Sequence, residues 1–238
     1  GLRFVVLTAN AGLPWVSSHS GFSPKDMLDL QPNSAQLGCN RTNGTFGLGL
    51  GNAGDLDGDG IDDLLVNAGQ AGSDAQLYVL FLQRNGTFVK AWHELVTTRG
   101  SVAGTVIPMF HQGRISKFSS SSDLFGDGNP DFAIAMETAP DAFGQGAGAV
   151  WLISVGMGGT NITNHSVITR GLAGLDAALS PNGTFGADVA IVPDQTGDGI
   201  EELLVAVSPD MLVAVPITAT GEAGAPIFGV VNRSNLPQ

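Results

Sequence analysis

The chain has a single cysteine, Cys39, so no disulfide can close within it. That residue is either a buried free thiol or half of an intermolecular disulfide. Basic residues are also scarce. Ten Lys and Arg stand against 22 Asp and Glu, and the net charge of −12 repels a nucleic-acid partner. Charged residues total only 13%, too few for a chain held unfolded by its own charge. No apolar run is long enough to cross a bilayer. The stretches 147–157 and 203–217 are too short, or are broken by Pro209 and Asp210. The apolar run after Arg3 is too short for the core of a signal peptide. If the protein is secreted, Gly1 then follows a removed leader or lies within a longer precursor.

Catalytic signatures are missing as well. His19, His93, His111 and His165 are scattered and form no H-x-x-x-H or H-E-x-x-H pair. There is no G-x-S-x-G elbow and no G-x-x-x-x-G-K-[ST] phosphate loop. No enzymatic activity is expected from this pattern. Paired carboxylates could serve a glycosidase, but the acids present fit another use.

What is abundant is glycine, at 34 residues, among short apolar runs. Mean hydropathy is +0.19 and 43% of residues are hydrophobic, enough for a core. Such runs between glycine-rich turns read as strands. N-x-[ST] triplets recur at Asn40, Asn43, Asn85, Asn161, Asn164, Asn182 and Asn232. Seven is more than chance supplies, and they favour glycosylation during secretion.

The chain also repeats itself. Residues 43–68 read NGTFGLGLGNAGDLDGDGIDDLLVNA, and residues 182–207 read NGTFGADVAIVPDQTGDGIEELLVAV. A weaker copy, ISKFSSSSDLFGDGNPDFAIAM, spans 115–136. The first acids of the three loops, at 55, 123 and 194, are spaced as four-stranded propeller blades would be. First strands are predicted at 46–51, 114–119 and 185–191. Second strands follow at 63–68, 131–136 and 202–207, and third strands at 76–82, 147–154 and 211–217. Fourth strands are placed near 91–97, 165–170 and 227–231. A short helix is predicted near 24–30, where Ser23 can cap and Pro24 suits the first turn. The fold class expected is all-β: a propeller of about three and a half blades. Residues 1–40 form the outer half of an incomplete blade, and full blades occupy 41–111, 112–180 and 181–238. Trp15, Trp92 and Trp151 are expected in blade packing rather than on sugars.

Three short stretches, 55–63, 123–131 and 194–202, hold 12 of the 22 acids. Crowded carboxylates repel unless a cation lies among them. In the first loop, Asp55, Asp57, Asp59 and Asp63 take positions 1, 3, 5 and 9, with the Ile61 carbonyl at position 7. Hard oxygen atoms at alternating positions of a tight loop suit Ca²⁺. An EF-hand would need Glu at position 12, where Val66 stands. The third loop offers Asp194, Thr196, Asp198, the Ile200 carbonyl and Glu202. The second offers Asp123, Asp127, the Asn129 carbonyl and Asp131, but Phe125 takes position 3 and cannot coordinate. That loop is either a weaker site completed by water or a metal-free turn kept for its shape.

The FG opening, the D-x-D-x-D-G-x-x-D loop and the following apolar strand resemble the FG-GAP repeat of integrin α-subunit propellers. The resemblance covers 43 to about 232 and weakens at the second repeat, where Arg114 replaces the Phe. It implies a calcium-braced propeller at a cell surface or in an extracellular matrix. An adhesion or scaffold role fits, as in a surface filament or coat. Its partners would be further copies, or a chain that completes the ring. A carbohydrate-binding module and the accessory propeller of a secreted hydrolase are the alternatives.

Overall fold

The computed structural model describes residues 45–69, 76–83, 89–96, 101–102, 105–106, 115, 117–121, 123–141, 143–171, 175, 179, 183–207, 211–218, 224 and 227–229. The expected half blade at 1–40, the helix near 24–30, Trp15, His19, Cys39 and His111 lie outside them. So do Asn40, Asn43, Asn85, Asn182 and Asn232.

The described residues are all-β, with no α-helix. The first antiparallel sheet runs β1 (Thr45–Gly54), β2 (Asp63–Gly69), β3 (Gln76–Leu82) and β4 (Val89–Val96). A two-residue pair, β5 (Ser101–Val102) and β6 (Thr105–Val106), follows. The second sheet runs β7 (Lys117–Ser121), β8 (Asp131–Met136), β9 (Ala149–Val155) and β10 (Ile162–Thr169). The third runs β11 (Phe185–Val192), β12 (Glu202–Val207), β13 (Met211–Pro216) and β14 (Ile227–Gly229). Each sheet is a meander in chain order, and one falls in each of the intervals 41–111, 112–180 and 181–238.

Continuous apolar runs form the middle strands because both faces of the second sheet are covered. Every residue of β8 and β9 is buried. Phe132, Ile134, Met136, Trp151 and Ile153 pack with Leu65, Leu77, Val79 and Phe81 of the first sheet. On the opposite face, Ala133, Ala135, Val150 and Leu152 pack with Leu203, Val205, Val213 and Val215 of the third. This two-residue alternation is the strand period. Each large side chain buried this way contributes about 1.5–3 kcal/mol.

The pairing registers make the three sheets equivalent residue by residue. Leu65 pairs with Val79, Ala133 with Leu152, and Leu204 with Ala214. Opposite the ninth loop residue stand Ser154, paired with Asp131, and Pro216, paired with Glu202. Leu64 pairs with Leu80, so the same register carried one step brings Phe81 opposite Asp63.

The opening strands meet one another. β7 lies against both β1 and β11, and the Ile191 N–H donates to Ser119 Oγ at 2.9 Å. The glycine of the second NGTFG motif has its reason here. Gly186 sits at φ +82°, and a Cβ on it would lie 2.8 Å from the Ala149 carbonyl of the neighbouring sheet. Only glycine permits both that backbone and that approach.

Candidate metal-binding loops

Three acidic loops connect the first and second strands of the sheets, and they share one backbone design. Glycines at loop positions 4 and 6 have positive φ in all three: Gly58 and Gly60, Gly126 and Gly128, Gly197 and Gly199. The position-1 carboxylate accepts backbone N–H groups across the turn. Asp55 takes those of Asp59 at 2.9 Å and Gly60 at 2.7 Å. Asp123 takes those of Asp127 at 2.8 Å and Gly128 at 3.0 Å. Asp194 takes those of Gly197 at 2.6 Å and Gly199 at 2.8 Å, which hold its carboxyl below the usual range.

The position-9 acid begins the second strand and tucks beneath its loop. Asp63, Asp131 and Glu202 are 0%, 1% and 3% exposed. Asp63 accepts from Leu56 N–H at 3.0 Å and Leu82 N–H at 2.9 Å. Burial still pushes its pKa up against those two bonds. Glu202 accepts from Gln195 N–H at 2.6 Å and Thr196 N–H at 3.2 Å. Asp131 accepts from Phe125 N–H at 2.7 Å through Oδ2, while its buried Oδ1 has no partner. Burial raises Asp131 to about 6. In every loop the position-5 acid caps the N–H of position 7: Asp59 to Ile61, Asp127 to Asn129, Asp198 to Ile200.

Of the residues named from spacing, the structure draws two carboxylate groups together. Asp55, Asp57 and Asp63 each place an oxygen within 4.8 Å of the others, and so do Asp194, Asp198 and Glu202. Either group can hold a metal ion, since both present hard oxygen atoms around a tight loop. Asp59 falls outside the first group. Asp123, Asp127 and Asp131 form no such group.

Two features of the loops were not read from the sequence. Position 2 is a core plug: Leu56 is buried between the first and second sheets, and Leu124 between the second and third. Its third-loop counterpart, Gln195, is exposed. Ser154 and Thr163 reach the second loop from β9 and β10: Ser154 Oγ stands 2.9 Å and Thr163 Oγ1 3.4 Å from Asp127 Oδ2. The signal for Ser154 lies in the strand pairing, which sets a hydroxyl opposite Asp131 where the other sheets carry Phe81 and Pro216.

The remaining candidates are dispersed. Trp151 is buried in the core between the first two sheets, its ring stacked on His165 with centroids 6.0 Å apart. Trp92 and His93 lie on β4, paired with Leu80 and Val79. Asn161 is half-buried before β10, and Asn164 is exposed within it. No helix among the described residues is long and apolar enough to cross a membrane. No protein-family model matches the chain, and no curated protein matches it significantly.

Proposed function

We propose that this chain is a segment of an FG-GAP-type β-propeller, braced by Ca²⁺ in the first and third acidic loops, that serves extracellular adhesion or scaffolding. The observation that carries this reading is the pairing of one loop design with converging carboxylates at 55, 57 and 63 and again at 194, 198 and 202. An acid buried beneath an exposed acidic loop is costly to keep ionised, and a divalent ion offsets that cost. The ion would clamp the first strand to the second. It would be structural, with a Kd of about 10⁻⁴–10⁻³ M, in keeping with extracellular calcium.

No catalytic role is assigned to the loop acids, because their backbone hydrogen bonds and mutual geometry serve the turn. Secretion and glycosylation rest on the seven N-x-[ST] triplets. Assembly with other protein chains is the partner reading. The residues of the third sheet equivalent to buried Leu65 and Ala133 support it: Leu204 and its partner Ala214 are only half-buried. Calorimetric titration with CaCl₂ tests the metal reading, with saturable binding in the millimolar range or tighter expected. A chain that binds no calcium at 5 mM would overturn it. Light scattering tests assembly. Association with itself is the expected result, and a strict monomer at every concentration would remove self-assembly.

A further inference from the structure

The three loops share a backbone, yet the second differs from the others at position 3 and in the side chains that meet its position-5 carboxylate. Phe125, at the position of Asp57 and Thr196, is 6% exposed and lies in the core between the second and third sheets. Its side chain anchors the loop inward, where Asp57 is exposed. The carboxylate of Asp127 is engaged by Ser154 Oγ, 3.1 Å from Oδ1 and 2.9 Å from Oδ2, with Thr163 Oγ1 at 3.4 Å. Asn129 Oδ1 accepts from Met157 N–H at 3.3 Å.

We infer that the second loop is a metal-independent brace, in which the Phe125 anchor and the Ser154 and Thr163 hydroxyls do the work that an ion does in its two counterparts. The two changes go together within one repeat. The sheet that lacks an oxygen at position 3 is the one that carries a hydroxyl opposite position 9. Phe81 and Pro216 take that place elsewhere and have no side-chain donor. The unpartnered Asp131 Oδ1 does not reverse this. One carboxylate oxygen is far short of the six to eight oxygens that calcium takes, Phe125 adds none at position 3, and Asp127 is engaged by Ser154 and Thr163.

The consequence is an asymmetric dependence on calcium. The second loop, between the sheets joined by the Phe125 core, keeps its shape in chelator, and the first and third loops loosen. This contrast rests on the calcium reading of those two loops, so the test separates the claims. Hydrogen exchange followed by mass spectrometry on the whole chain, in 5 mM CaCl₂ and in EDTA, reads each loop. The amides of 124–129 should exchange within twofold of each other in the two conditions. Those of 56–61 and 195–200 should exchange at least tenfold faster in EDTA. Calcium-dependent protection of 124–129 would overturn the inference. Calcium-independent exchange in all three loops would sink the calcium reading and leave the second-loop claim to a double variant. Ser154→Ala with Thr163→Val should speed exchange at 127–129 at least fivefold, equally with and without calcium. Unchanged exchange, or rescue by calcium, would overturn the brace.

Discussion

The first and second acidic loops have the same backbone turns and the same buried position-9 aspartate, but they close around different partners. In the first, three carboxylates gather within 4.8 Å of one another. In the second, the carboxylates are spread, and one is engaged by Ser154 and Thr163. Desolvation pulls Asp127 upward, yet the Asn129 N–H and those two hydroxyls outweigh it and hold it below the usual range. The lesson is that the loop shape is separable from the chemistry that braces it. The glycines and the position-1 aspartate set the turn, while the residue opposite position 9 differs from loop to loop.

Four changes would break or sharpen that contrast. The largest effect is expected from Asp63→Ala, which strips the acceptor from both Leu56 and Leu82 N–H. Two donors left unpaired, one buried and one half-buried, cost about 2–5 kcal/mol together, read as a lower urea midpoint even in chelator. Chelation of the wild type comes next. At a calcium concentration some twentyfold above the Kd, each occupied site adds about 2 kcal/mol. Thermal melts should therefore fall in EDTA, and Asp57→Asn should shrink that fall while Asp123→Asn should not.

The third change is in pH. Burial pushes the Asp131 carboxyl up to about 6, above the 3.8 of a free aspartate. Between those values the native state binds the extra proton, so this group stabilises the fold at low pH and loses that contribution as pH rises through 6. From pH 7 to 5.5 the gain is on the order of 1 kcal/mol. It is read as the difference between wild type and Asp131→Asn in chelator, and an equal pH response in both would refute it. Asp63 shifts in the same direction and is common to both proteins. The smallest effect belongs to Asn52→Ala. Its amide joins Asp62 Oδ2 at 3.0 Å on the exposed rim of the first loop. A loss of no more than about 0.5 kcal/mol in urea unfolding would show that surface hydrogen bonds do not hold that loop.

Much of this fold was legible in the sequence. Second and third strands lie within two residues of their predicted bounds in all three sheets, because continuous apolar runs flanked by acids or glycines define them. The opening strand of the second sheet was legible only in part. It was predicted at 114–119 and lies at Lys117–Ser121, since Arg114 removes the FG marker and the serine run carries no apolar alternation. The small pair at 101–102 and 105–106 was also missed. Six of the loop acids singled out by spacing converge in two groups, because their period is local. Ser154 could not be found that way. It is 27 residues from Asp127, and only the pairing of β8 with β9 brings the two together.

The central claim is that ions fill the first and third loops and not the second. A crystal grown with terbium in place of calcium tests it most directly, because anomalous scattering locates each ion. The account predicts one peak beside Asp55, Asp57 and Asp63, another beside Asp194, Asp198 and Glu202, and none at Asp123, Asp127 and Asp131. Bare density at both outer loops, or a peak of equal height at the middle one, would contradict it.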